Sequence, residues 1–153
     1  MPRYQTHLWC NMIVYALVMS ILMYYRFKLP STYGELLVCS SLGSLFPDID
    51  VKSKGQQISY SILCALLVCL ICGRRFIIAA GLGVIGMIPL FVDHRGLFHR
   101  LWFIAAFSVF VALVLLQCMP SCGERIIMNS IFFLIGAITH VALDGGWRMV
   151  TRW

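Results

Sequence analysis

Histidines and aspartates, whose side chains can bind a divalent cation, recur in four short stretches of this sequence. Imidazole nitrogens and carboxylate oxygens together are ligands for zinc, iron or manganese. All four histidines and most of the acidic residues belong to these stretches. The candidate metal ligands are His7, Asp48, Asp50, His94, His99, His140 and Asp144.

Two of the stretches contain pairs whose spacing would bring the side chains together. In an extended turn after Pro47, Asp48 and Asp50 would point the same way and reach one cation. On a helix, His140 and Asp144 share a face because they are four residues apart, and Asp144 could bind the metal or orient His140. The alternatives are two solvated loop acids for the first pair and an internal hydrogen bond for the second.

In the other two stretches, spacing alone does not bring the candidate ligands together, so their convergence depends on the fold. On a continuous helix, His94 and His99 would lie about 140° apart, so we expect a bend at Gly96 between them. The alternative is an interfacial loop that meets lipid head groups. His7 is isolated near the N-terminus, and its ligand role depends on sharing a face of the protein with the other histidines.

The composition predicts that a membrane protein positions these side chains. Of 153 residues, 61% are hydrophobic and 12% are charged, and the mean hydropathy is +0.89. A soluble domain has about twice that charged fraction, and disorder requires low hydrophobicity. The formal net charge is +6, but the basic residues flank apolar runs. They therefore indicate contact with membrane lipids and exclude a nucleic-acid partner.

Six apolar runs predict an all-α fold: a single integral membrane domain over 1–153, built as a bundle of about six transmembrane helices. No cleavage site follows the first run, which is long enough to span, so we expect no cleaved signal peptide. The second run is short; it either recruits Tyr33 to Glu35 or forms a half-helix inside the bundle. The runs are Leu8–Tyr25, Leu36–Phe46, Ile58–Gly73, Phe76–Val92, Leu101–Met119 and Ile126–Leu143.

If all six runs cross the membrane, all the candidate ligands fall at or near one end of the bundle. That end carries seven basic residues and the opposite end five. The positive-inside rule then places the candidate ligands and both termini on the cytoplasmic side. Ionisable residues near membrane depth are costly and by default indicate a functional site.

The ordered motifs resemble those of a known family. They are His7 before the first span, Pro47-Asp48-x-Asp50, His94-Arg95-Gly96-x-x-His99 and His140-x-x-x-Asp144. This set is similar to the YdjM-type membrane-bound, predicted metal-dependent hydrolases of bacterial inner membranes. The family's HRGxTHS motif has Phe98 and Arg100 here in place of threonine and serine, and Gly145-Gly146-Trp147 follows the last motif. The resemblance implies an inner-membrane location and metal-dependent hydrolysis.

We therefore predict a membrane-embedded hydrolase that uses one or two divalent ions, zinc or manganese. Asp50 would accept a proton during attack, and Arg95 and Arg100 would hold an anionic group such as a phosphate. A substrate that enters from the head-group region would be a lipid or a lipid-linked phosphoester. The alternatives are a metal-ion or proton transporter and a non-catalytic scaffold or partner-binding protein.

Overall fold

All regular structure is helical in the residues that the computed structural model describes, which are 4–50, 54–87 and 97–145. The all-α prediction is therefore confirmed for these residues. Short 3₁₀ helices cover Phe46–Asp50, Leu97–His99 and Pro120–Cys122. The α-helices are α1 (Tyr4–Tyr24), α2 (Tyr33–Leu45), α3 (Lys54–Cys72), α4 (Phe76–Met87), α5 (Leu101–Cys118) and α6 (Gly123–Gly145).

Four of the described helices begin three or four residues earlier than the apolar runs predict: α1, α2, α3 and α6. The first begins at Tyr4, so His7 lies within α1 rather than before it. The second gains a turn because Thr32 and Glu35 form a capping box, in which each side chain bonds the other residue's backbone N–H. Such reciprocal bonds satisfy amides that a helix start leaves without partners. Residues 88–92 of the fourth predicted run lie outside the described residues.

Two described helices are long and apolar enough to cross a membrane, Gln5–Tyr24 and Pro120–Asp144. Gln56–Cys72, Phe76–Met87 and Leu101–Gln117 are apolar but shorter. The 13 residues of α2 rise only about 20 Å, whereas a hydrocarbon core is about 30 Å thick.

Contacts between helices define their directions. Ser31, before α2, donates to the carbonyl of Arg125 at the start of α6 (3.5 Å), and Ser44 near the end of α2 contacts His140 near the end of α6, so α2 and α6 run parallel. Tyr15 in the middle of α1 donates to the carbonyl of Tyr33 (2.7 Å), where α2 begins, and Ser44 donates to the carbonyl of His7 near the start of α1, so α1 is antiparallel to both. The start of α1 and the ends of α2 and α6 consequently meet. The start of α5 joins them because Ile104 packs against the last turns of α6.

The tightest packing lies between α2 and α6, and two glycines permit it. A methyl group on Gly43 would overlap the backbone carbonyl of Phe133, and one on Gly136 would overlap that of Ser40. Small residues at such positions let two helix backbones approach closely. His140 lies one turn beyond Gly136, so this approach brings its ring to the backbone of α2.

Candidate metal centre

Four side chains converge where α1, α2, α5 and α6 meet: Asp48, His99, His140 and Asp144. Each offers one ligand atom, and these four atoms lie within 4.8 Å of one another. Nε2 of His140 is 3.4 Å from Oδ1 of Asp48 and 3.6 Å from Oδ2 of Asp144. Nε2 of His99 is 3.9 Å and 3.7 Å from the same two oxygens. Both histidines are buried. This group could hold a metal ion.

The hydrogen bond of His140 determines which of its nitrogens faces the other donors. Nδ1 lies 2.6 Å from the backbone carbonyl of Ser44, so Nδ1–H donates to it, and in the neutral ring Nε2 carries the lone pair. Among the described residues, no partner makes a hydrogen bond of good geometry to this buried Nε2. Histidine ligands of metals typically donate their other N–H to a carbonyl or carboxylate in this way.

The carboxylate of Asp144 is shared between His7 and the other two histidines. Oδ1 is 3.4 Å from Nε2 of His7, whereas Oδ2 faces His99 and His140. The His7 ring also stacks on that of His140, with ring centres 3.9 Å apart and planes 15° from parallel. His7 therefore contacts two members of the group from outside it and is placed to hold both.

Asp48 reaches the centre from a helical turn, so the prediction of an extended turn is wrong. Phe46–Asp50 forms a 3₁₀ helix directly after α2, with Pro47 buried within it. Successive residues of a 3₁₀ helix turn by a third of a circle, so side chains two apart do not point together. Burial opposes ionisation of Asp48. The contact with His140 and the charges of the surrounding imidazoles outweigh burial and hold the pKa below its ordinary value of 3.8.

Phe98 anchors the segment that carries His99. Its side chain is 3% exposed and makes edge-to-face contacts with Phe46 and Phe103, with ring centres 5.7 and 5.1 Å apart. Phe46 itself lies two residues before Asp48. Phe98 thus joins the two segments that supply His99 and Asp48.

Three of the other predicted site residues cannot be placed relative to this group of four. His94 and Arg95 lie outside the described residues, as does the side chain of Asp50. Arg100 precedes α5, and its side chain is exposed.

A buried polar pair beside the centre was not predicted from the sequence. Ser40 donates to Oδ1 of Asn11 (2.7 Å), and both residues are fully buried one turn from Ser44 and His7 respectively. Ser44 also donates to the carbonyl of His7 (3.4 Å). The signal was available as small residues four apart, Ser40 and Ser44, a spacing typical of close helix contacts in membranes.

Comparison with protein families gives a match over the whole chain. The family model described as YdjM inner membrane protein matches residues 1–153. The chain belongs to this family. The YdjM family name and the two candidate spans together indicate a bacterial inner membrane. Comparison with curated protein sequences and with solved structures gives no match.

Proposed function

We propose that this YdjM-family protein is a membrane-embedded, metal-dependent hydrolase that acts on a lipid or other phosphoester. The observation that carries the proposal is the convergence of Asp48, His99, His140 and Asp144 from separate elements, with His140 already oriented by Ser44. A purely structural His–Asp pair would not need a second carboxylate and a second imidazole at the same point.

The donor set fits a divalent cation in chemistry and in size. The four ligand atoms lie within 4.8 Å of one another, and the His–Asp pairs are 3.4–3.9 Å apart. Atoms that each bind one ion at about 2.0–2.2 Å would lie about 3–4.4 Å apart, and the His–Asp pairs already fall in that range. Two imidazoles and two carboxylates suit zinc or manganese. Asp48, His99, His140 and Asp144 would hold the ion, which would still have room to bind a water.

When bound, such a cation would supply hydroxide at neutral pH, because it lowers the pKa of water far below its ordinary value, to about 7. The protein would contribute orientation and charge. His7 would hold Asp144, and Ser44 would hold His140, in the geometries described above. Asp50 is proposed as proton acceptor, and His94 as an additional ligand that admits a second ion.

An anionic substrate group needs positive charge near the centre, and Arg95 and Arg100 are proposed to supply it. Arg100 directly follows His99 in the chain, and its side chain is exposed. A guanidinium can bind two phosphate oxygens at once, so it could orient the group under attack.

We further propose that all six helices cross the membrane, with the centre and both termini on the cytoplasmic side. The antiparallel arrangement of α1 with α2, and of α5 with α6, supports this path. The donors would then lie at the level of lipid head groups, where a phosphoester lipid presents its scissile bond.

Metal content and hydrolysis, measured on the same samples, test the proposal. The full-length protein is purified in detergent, loaded with zinc or manganese, and dialysed before elemental analysis and assay with bis(4-nitrophenyl) phosphate. We expect the wild-type protein to retain about one ion per chain. In Asp144→Asn, the metal affinity and the hydrolysis rate should each be at least about tenfold lower than in wild type. Glu124→Gln, which changes an exposed carboxylate at the opposite end of α6, should match wild type.

Two results would contradict the proposal. One is a wild-type protein that retains less than about 0.2 ion per chain, too little for a resident cofactor. The other is hydrolysis that is equal in wild type and Asp144→Asn.

A further inference from the structure

An apolar cleft begins beside the candidate metal centre and continues between the α3–α4 pair and the rest of the bundle. Its volume is about 210 Å³. Ile49 and Phe98 line it, and these are the chain neighbours of Asp48 and His99. The cleft and the centre are therefore built on the same two short segments. A molecule in the cleft would have one end next to the donors.

The walls of the cleft offer little to a polar ligand. Tyr60 lines it, but its hydroxyl already donates to the carbonyl of Gly86 (2.9 Å), which joins α3 to α4. The rest of the lining is almost entirely aliphatic and aromatic. A ligand that occupies it must therefore present hydrocarbon.

The dimensions suit a chain rather than a compact molecule. Ser59 and Leu66 both line the cleft on α3, and the helix rises about 10 Å between them. This distance is roughly a third of the thickness of a hydrocarbon core. The cleft begins at the end of the bundle where the donors lie. Leu66, which lines the far end of this stretch of α3, is half-exposed, so the cleft is accessible from the surroundings of the helices.

We propose that this cleft binds the hydrocarbon chain of an amphiphilic phosphoester whose head group lies at the metal centre. This inference rests on the proposed function for the position of the head group, whereas the chain site itself depends only on the cleft. The polar centre and the apolar cleft match the two halves of one amphiphile. We therefore commit to a lipid as the occupant rather than a helix of a partner protein.

Photo-crosslinking of the full-length protein in phospholipid nanodiscs tests the proposal. The probe is phosphatidic acid with a diazirine on one acyl chain, and the control probe is diacylglycerol with the same chains. A second apolar cleft, lined by Val111 and Leu115, provides the internal reference. We expect phosphatidic acid to label Tyr60 and Leu63 about tenfold more than the reference residues, a preference of about 1.4 kcal/mol. Diacylglycerol should show less preference.

Variants on α3 make the test specific. Leu63→Trp fills the cleft and should reduce its labelling about tenfold, while the metal content stays at the wild-type level. Val68→Trp is the matched control, because Val68 is 59% exposed and is not part of the cleft. If Leu63→Trp loses its metal and so its fold, Leu66→Trp replaces it in the same comparison.

The outcomes separate the two proposals. Equal labelling of both clefts, or labelling that Leu63→Trp and Leu66→Trp leave unchanged, would overturn the chain site. A partner protein recovered as the crosslinked species at Leu63 would also overturn it. Cleft labelling without any bound metal would instead support the chain site and contradict the proposed function.

Discussion

Replacing Gly136 with alanine should weaken metal binding without touching any ligand. Gly136 faces α2, where an added methyl group would overlap the carbonyl of Ser40 and lie 2.9 Å from the backbone nitrogen of Ser44. Both obstacles are backbone atoms, so no side chain can rotate away. The helices must therefore separate, and the carbonyl of Ser44 must move from Nδ1 of His140, which it now contacts at 2.6 Å.

The magnitude follows from two opposing terms. Alanine in a helix gains about 1 kcal/mol over glycine. Overpacking a tight contact costs about 1–3 kcal/mol, so we expect a net loss of up to about 2 kcal/mol in unfolding free energy. Loss of a hydrogen-bonding partner behind a histidine ligand typically reduces metal affinity 10–100-fold, and we expect a reduction in that range.

Zinc titration against a competing chelator and thermal unfolding, both in detergent, measure these effects. The matched control is Gly81→Ala on α4, where an added methyl group meets nothing within 4 Å. The control should unfold at the same or a slightly higher temperature and bind zinc as wild type does. If Gly136→Ala also binds zinc with wild-type affinity, the helix contact does not orient His140 and the reasoning is refuted.

Three further predictions concern neighbouring contacts. Phe98→Ala should lower the unfolding free energy by about 3–5 kcal/mol, because it leaves a cavity between Phe46 and Phe103 that these rings cannot fill. Equal midpoints of chemical denaturation for the variant and the wild type would contradict this. Ser40→Ala should lower the unfolding free energy by about 1–3 kcal/mol, because it removes the hydroxyl that donates to buried Asn11. Adding Asn11→Val should restore part of that loss, whereas losses that simply add in the double variant would show that the two side chains do not interact. In metal-free protein, ionised Asp48 stabilises the fold because its pKa is lowered, and this stability is lost as the pH falls through that pKa. The difference in melting temperature between wild type and Asp48→Asn should therefore narrow below pH 3.8, whereas a constant difference would contradict the lowered pKa.

The helices and their chemistry were largely predictable from the sequence. Apolar runs bounded by charges mark helices because a membrane-type chain must satisfy its backbone groups internally. His140 and Asp144 share one face because four residues make slightly more than one helical turn. A count of the predicted crossings was enough to expect histidines and aspartates from distant stretches at one end of the bundle.

The details that orient the donors were not predictable, since they depend on backbone rather than on residue type. Every residue has a carbonyl, so nothing in the sequence marks that of Ser44 as the partner of His140. Whether Gly136 faces a neighbouring backbone depends on the rotation of α6 about its axis. The 3₁₀ helix after α2 was missed because Pro47 suits the first turn of a helix as well as an extended turn.

X-ray absorption at the metal edge of the zinc-loaded, full-length protein tests the central claim most directly. We predict a first shell of nitrogen and oxygen at about 2.0–2.2 Å, with scattering from at least two imidazole rings and no sulfur. In His140→Ala, the imidazole contribution of the remaining bound zinc should fall by one ring. Sulfur ligands at about 2.3 Å, or an imidazole count unchanged by His140→Ala, would show that the ion binds elsewhere.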